Sequence, residues 1–295
     1  MEIRVLKYFL TVAKVGTITG AAKVLHLTQP TLTRQLKDLE NELGEQLLVR
    51  TNHNVSLTLE GVILKKRAQE IVDMVEKTEN EFSSLKKSIS GEVFIGSGES
   101  YSLKIITKII KEIQMQYPNV KFDIFSGNAE DVKEKLENGL VDFGILIQPT
   151  DISKYDYITL PSKDTWGLIM KKNSELSKKE FITKKDLLKI PLITSKQVSK
   201  RTNVKNNYNE WFGRDLNKLN IVATYNLIYS AGLMVEEDIG YALALDNLVD
   251  TSENSNLCFR PLEPKLEAGL DVVWKKGQIF SPAARLFLNK LQYFK

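Results

Sequence analysis

The residues best equipped for chemistry lie between Thr17 and Glu42, in the run TITGAAKVLHLTQPTLTRQLKDLENE. Gln29, Thr31, Thr33, Arg34 and Lys37 form a polar, donor-rich set that no carboxylate interrupts before Asp38. An amide fork pairs with an adenine edge, a guanidinium with guanine or phosphate, and a hydroxyl with phosphate, so the set suits nucleic-acid recognition. To present these side chains together, the run must fold as two short helices joined by a tight turn. Ala21, Ala22 and Leu25 give the first helix a small apolar patch, with Thr19 as its expected N-cap. Leu32, Leu36, Leu39 and Leu43 share one face of the second helix. Thr28 stands where an N-cap belongs, and Pro30 falls in the first turn, where a missing N–H costs nothing. The pattern predicts a helix-turn-helix, whose second helix inserts its start into the major groove. An ordinary helical hairpin is the alternative, and the selectively polar outer face argues against it.

The chain of 295 residues has room for two or more domains. Hydrophobic residues make up 42% and charged residues 26%, the balance of a soluble globular protein. A net charge of +4 permits a nucleic-acid partner without demonstrating one. The single cysteine, Cys258, cannot form an intrachain disulfide. The start, MEIRVLKYFL, lacks the apolar run and cleavage site of a signal peptide, and no window approaches a membrane span, so a cytoplasmic protein with no membrane association is expected.

Ile3, Leu6, Phe9, Leu10 and Ala13 predict a helix ending near Gly16 that supplies the third wall of a small core. Gly44 stops the second helix of the motif. The runs 46–50 and 55–58 flank an Asn-rich turn at 51–54 and read as a hairpin, or wing, with Arg50 near a phosphate backbone or minor groove. A long helix opens at Thr58-Leu59-Glu60-Gly61. Leu64, Ala68, Ile71, Val75, Thr78, Phe82, Leu85 and Ile89 follow at steps of four and three, a heptad seam broken only by Thr78. A single narrow apolar stripe needs a partner surface, and dimerisation is the expected one. Ser88 to Gly91 punctuates the chain as a hinge.

From Glu92 onward short apolar strands alternate with helices, which predicts a mostly parallel sheet covered on both sides. Strands are expected at 93–97, 120–125, 141–147, 167–171, 191–195, 221–224, 241–245 and 269–275. Helices are expected at 103–116, 130–138, 204–212, 225–237 and 282–294. Crossovers near Leu160 and Lys265 would divide this half into two lobes with a cleft between them.

These residues resemble the LysR-type transcriptional regulators. The resemblance rests on Phe9-Leu10, Gly16-Thr17-Ile18-Thr19, Ala21-Ala22, the unbroken run Leu25 to Leu36, Leu39-Glu40 and Leu43-Gly44, followed by Leu47, Arg50, Leu57-Thr58 and Gly61. It implies an α/β protein with an N-terminal all-α winged helix-turn-helix at 1–58 and a long linker/dimerisation helix at 59–88. A two-lobed α/β effector domain similar to periplasmic binding proteins would fill 89–295, with lobe I at about 92–160 and 266–295 and lobe II at about 161–265. Carried over position by position, it points to Thr28, Gln29, Pro30, Thr31, Thr33, Arg34 and Arg50 as DNA contacts. The implied partners are promoter DNA with an interrupted dyad, a second copy or three further copies of the chain, a small-molecule effector, and RNA polymerase if the protein activates. No cofactor and no metal is implied. Asn52-His53-Asn54 departs from the more basic, glycine-containing wing tip usual in the family.

By the same resemblance Ser97, Gly98, Glu99, Ser100, Gly127, Asn128, Gln148, Ser195 and Asn226 would line an effector site. The Ile95 to Ser100 turn lies between strand and helix, with Tyr101 where a dinucleotide fingerprint would carry its third glycine, which argues against a nucleotide. Hydroxyls and helix N-termini favour a small anion such as a carboxylate, whereas Glu99 favours an amine or an uncharged ligand. An enzyme is the competing class, since two-lobed α/β chains can host chemistry and Glu236-Glu237-Asp238 offers adjacent acids. Both histidines, His26 and His53, lie in the N-terminal part, however, so neither a His-based triad nor a His metal cluster is available to the cleft.

Overall fold

The computed structural model describes residues 1–50, 54–83, 89–196 and 207–293. The chain divides into two compact units, Met1–Ser83 and Ser84–Lys295.

The first unit opens with α1 (Ile3–Val15), which buries Val5, Leu6, Phe9 and Val12 on one stripe and ends at Gly16 with φ +75°. The second helix, α2 (Ile18–Val24), follows at once, so the residue available to cap it is Thr17 and not the predicted Thr19. Extended backbone at Thr17 aims its hydroxyl at the Gly20 N–H, 3.2 Å away. Chain reversal after α2 places His26 at φ +54°. Then α3 (Gln29–Leu43) begins, capped by Thr28 with Pro30 in its first turn, and ends at Gly44 with φ +73°. Leu32, Leu36 and Leu39 are buried against α1 and α2 residues, but Leu43 is 40% exposed, because the helix ends there. A two-stranded wing follows, β1 (Leu48–Arg50) paired antiparallel with β2 (Val55–Leu57). The turn predicted at 51–54 lies outside the described residues except for Asn54.

The long helix, α4 (Leu59–Ser83), belongs to this first unit. Ala68 and Val72 are buried in the three-helix core and Leu64 packs on it, while Ile71 remains exposed. The predicted heptad seam therefore divides. A straight helix resting on a compact core follows 64, 68 and 72 with its 3.6-residue period, and this diverges from the 3.5-residue period of the seam. Leu85 lies outside the described residues. Ile89 lies beyond the helix and packs on the core of the second unit.

Among the described residues, the second unit carries one continuous path of eight strands with two further strands added to its side. In chain order it comprises β3 (Gly91–Ser97), α5 (Lys104–Gln116), β4 (Val120–Ser126), α6 (Ala129–Glu137), β5 (Phe143–Ile147) and β6 (Tyr155–Lys171). Next come β7 (Ile182–Thr183), α7 (Lys184–Leu187), β8 (Pro191–Ser195), α8 (Asn207–Phe212), β9 (Asn220–Tyr225) and α9 (Ile228–Glu236). The unit closes with β10 (Tyr241–Leu245), β11 (Leu257–Glu263), β12 (Glu267–Lys275) and α10 (Pro282–Gln292). The sheet is mixed, not mostly parallel: β4, β3 and β5 run parallel, as do β9, β8 and β10, but β12 and β6 join the two groups antiparallel. These two long strands cross from one lobe to the other side by side, and a register shift between Gly269 and Asp271 marks the crossing. Pro161, Lys163 and Asp164 interrupt the apolar alternation of β6, which hides its first half in the sequence. Tyr225, predicted at the start of a helix, instead closes β9.

Lobe I carries its core under α5 and α10, where Phe143 stacks on Phe280 at 5.0 Å and meets Phe287 at 5.0 Å. Its other face packs Val132 and Leu136 of α6 on Leu146 and Val273. Lobe II is built likewise, with Trp166, Leu168, Leu243, Trp211 and Phe212 on one face and Ile169, Ile193, Ile228 and Ala231 on the other. Two-faced coverage leaves the strand ends and helix starts as the surfaces that face the cleft.

Candidate nucleic-acid interface and interlobe cleft

The first turns of α3 present Thr28, Gln29, Pro30, Thr31, Arg34 and Lys37 to solvent, with Thr33 half-buried beside them. The side chains pair along the helix in three rungs. The Thr28 and Thr31 hydroxyls lie 2.7 Å apart, the Gln29 amide donates to the Thr33 hydroxyl at 3.2 Å, and Arg34 reaches Asp38 at only 3.9 Å. With the Arg34 side chain 82% exposed, that last pair is weak and leaves the guanidinium available to a partner. The N-terminal turn holds no acidic residue, so the dipole of the helix start adds to its attraction for phosphate. Arg50 ends β1 opposite Val55, at the base of the wing.

In the second unit, Glu99 and Asn128 each reach across the cleft to the other lobe. Glu99, between β3 and α5, accepts a hydrogen bond of 2.6 Å from the Ile228 N–H, the first backbone donor of α9 in the other lobe. Asn128 caps α6 through a capping box with Asp131, and its amide donates to the Asn226 carbonyl oxygen at 2.7 Å. The Asn226 amide in turn lies 3.5 Å from Asp131. Tyr225 beside them is buried, which, with the charge of Glu99, pushes its hydroxyl well above the usual phenol range. That hydroxyl donates to the Leu243 carbonyl at 3.0 Å.

The other predicted lining residues serve the walls. Ser97 is buried and donates to the Gly98 carbonyl at 2.7 Å. Ser100 donates to the buried Asp164 carboxylate, which also accepts from the Ser102 N–H at 3.1 Å and its hydroxyl at 2.6 Å. These bonds pin the residues that follow Glu99. A side chain at Gly98 would press on Ile147, and one at Gly127 on the Phe125 ring, so both glycines answer to packing. Gln148 donates to both oxygens of buried Asp271, each at 3.0 Å, and lies against Gly269 at the lobe crossing. Ser195 ends β8 opposite Tyr225. Glu236 ends α9, and Asp238 beyond it pairs with Lys171 at 2.6 Å, so the adjacent acids finish a helix instead of building an acid–base site.

Residues 3–62 match the family described as bacterial regulatory helix-turn-helix protein, lysR family, and residues 86–294 match the LysR substrate binding domain. The chain belongs to the LysR family. Among its curated relatives are the HTH-type transcriptional regulator BsdA of Bacillus subtilis, 36% identical over 56% of each chain, and the Hca operon transcriptional activator HcaR of Escherichia coli, 27% identical over 99% of this chain and 97% of that one. The BsdA match thus spans little more than half of that relative. Solved structures with this fold include full-length CbnR complexed with its target DNA (TM-score 0.75, 17% identity) and CbnR alone (TM-score 0.76, 17% identity), each covered over 100% of both chains.

Two residues of this LysR-family chain matter more than their sequence context suggested. The Glu40 carboxylate accepts from the Leu47 N–H at 3.0 Å and the Leu48 N–H at 3.1 Å, tying α3 to the first wing strand. Gly61 lies so close to the Leu47 carbonyl that a Cβ there would stand 2.1 Å from its oxygen. Both belong to the family pattern, but only the fold shows that they fix the wing against α3 and α4.

Proposed function

We propose that this chain is a cytoplasmic, sequence-specific DNA-binding transcriptional regulator whose α3 enters the major groove of a promoter carrying an interrupted dyad. The observation that carries this reading is the exposed, acid-free first turn of α3, which leaves Gln29, Thr31 and Arg34 open to solvent. Gln29 would bond an adenine edge, Arg34 guanine or phosphate, and Thr28 and Thr33 phosphate oxygens, while the Thr31 methyl would meet a thymine methyl. Pro30 shapes the helix start, and Arg50 would follow the backbone beside the wing. The protein acts as a homodimer or homotetramer. Leu59, Val62, Ile63 and Ile71 leave apolar surface on α4, which supports pairing with a second copy. Two recognition helices would then address half-sites roughly 34–36 Å apart. A small-molecule effector in the cleft of the second unit would favour one arrangement of its lobes, and through α4 alter spacing or bend on the DNA. RNA polymerase is the further partner if the protein activates. No described helix is long and apolar enough to cross a membrane.

Affinity capture of sheared genomic DNA on the purified full chain tests this reading. Enriched fragments sharing a dyad are expected, and capture without sequence preference would refute it.

A further inference from the structure

We propose that Glu99 sets the effector class of the cleft: its carboxylate occupies the anion position at the start of α9, so the site rejects small carboxylates and takes a small amine. The inference rests on the reading of this cleft as the effector site and narrows what it accepts.

The N-terminus of α9 lacks a cap of its own. Leu227 precedes the helix and has no side chain able to accept the free N–H groups, and no acid lies in the first turn. Glu99, from the other lobe and 129 positions away in sequence, fills that role through its bond to the Ile228 N–H. Anions gather at helix starts because donors and dipole converge there, and a ligand carboxylate would seek the same seat. Here the seat is already filled, and the backbone that carries Glu99 is held in place, since Ser100 and Ser102 fasten the residues after it to Asp164 and Gly98 lies close to Ile147. A carboxylate entering beside it would face Glu99 and, past Asn226, Asp131. Among the described residues, no lysine or arginine pairs with Glu99 to offset that repulsion. An ammonium group meets the opposite situation: Glu99 holds the Ile228 N–H with one oxygen and keeps the second as an acceptor, and its charge is complementary.

The same contact explains how a ligand would act. Glu99 on α9 and Asn128 on Asn226 are two hydrogen bonds that span the lobes, so a ligand drawing Glu99 away changes the coupling between them.

Titration of the full chain with two probes of matched shape and opposite charge, benzylammonium and benzoate, tests the proposal at constant ionic strength. Calorimetry and thermal unfolding follow binding, and gel shift on the captured operator follows response. The wild type is expected to bind benzylammonium and to bind benzoate at least tenfold more weakly than Glu99→Ser does, because the shorter side chain vacates the helix start. Glu99→Gln, which removes the charge but keeps an acceptor on the Ile228 N–H, is expected to lose benzylammonium while gaining less benzoate affinity than Glu99→Ser. Equal benzoate binding by wild type and Glu99→Ser, or benzoate binding by the wild type that needs Lys200 or Arg201 of the segment after Ser195, would overturn the assignment while leaving the effector cleft intact. Failure of all three proteins to bind either probe overturns it as well. Binding that follows the expected charge pattern but leaves operator affinity unchanged supports Glu99 as the selector and counts against the effector reading alone.

Discussion

Replacement of Arg34 by alanine separates recognition from folding, because the structure assigns the residue almost no structural work. Its side chain is 82% exposed, and its ion pair with Asp38 spans 3.9 Å between two exposed groups. Such a pair contributes about 0–0.5 kcal/mol, and alanine is at least as good a helix former as arginine, so thermal stability should be unchanged or rise slightly. Binding is another matter. A guanidinium on a guanine edge discriminates by about 1–3 kcal/mol, and a dimer on a dyad uses two of them. The summed loss of about 2–6 kcal/mol corresponds to roughly thirtyfold to over ten-thousandfold weaker operator binding. Fluorescence anisotropy over a salt series distinguishes the two modes of recognition. If Arg34 neutralises a phosphate in each half-site, its removal reduces the dependence of log K on log salt by roughly one unit apiece. If it reads a base, the slope stays and the preference relaxes at one position. A folded, oligomeric Arg34→Ala protein that binds the operator within twofold of the parent would refute the assignment.

Further outcomes follow from the wing and from the lobe crossing. In Gly61→Ala the new Cβ would lie 2.1 Å from a backbone oxygen that cannot rotate away, so a net loss of about 2 kcal/mol in denaturant unfolding is expected despite alanine's better helix propensity. Glu40→Ala strands the Leu47 and Leu48 N–H groups and should cost about 2–4 kcal/mol, with Glu40→Gln recovering part of it because one oxygen remains to accept; equal losses would refute the double-acceptor role. Burial, helped by the nearby charge of Asp164, holds the Asp246 carboxyl above its ordinary range. A carboxyl raised on folding binds its proton more tightly in the native state, so its contribution is full below the unfolded value and is lost as pH rises through the folded one. Asp246→Asn keeps the acceptor for the Thr165 N–H and should melt higher than wild type at neutral pH, with the gap closing as acid protonates the wild-type residue. A gap independent of pH would show that charge is not the cause.

Elements whose causes are local were legible in the amino-acid order. Gly16 and Gly44 stop helices because their positive φ suits a residue without Cβ, and Thr28 with Pro30 starts one because a hydroxyl acceptor and a fixed φ suit a helix start. The donor-rich face of α3 was equally legible, since side chains three and four apart share a face whatever lies behind them. The choice between Thr17 and Thr19 as cap was less so, because both can accept a hydrogen bond and only the end of α1 decides between them. The linker seam blurred for a related reason: Ala68 satisfies a heptad and a local core alike, and burial against α1 to α3 selects the core.

Contacts between segments far apart in the chain emerged only from the fold. The Ser97 hydroxyl turns to Gly98 and the Ser100 hydroxyl to Asp164, 64 positions away. Asp164 and Asp271 are each a buried hub satisfied by neutral donors across lobes or strands. Glu99 showed in sequence as a charge at odds with an anionic ligand. Its seat on α9 became visible only when the chain returned 129 residues later to place a bare helix start before it. Periodicity and caps are encoded within a few residues, whereas the partner of a buried or bridging charge is set by topology, and no local pattern carries that information.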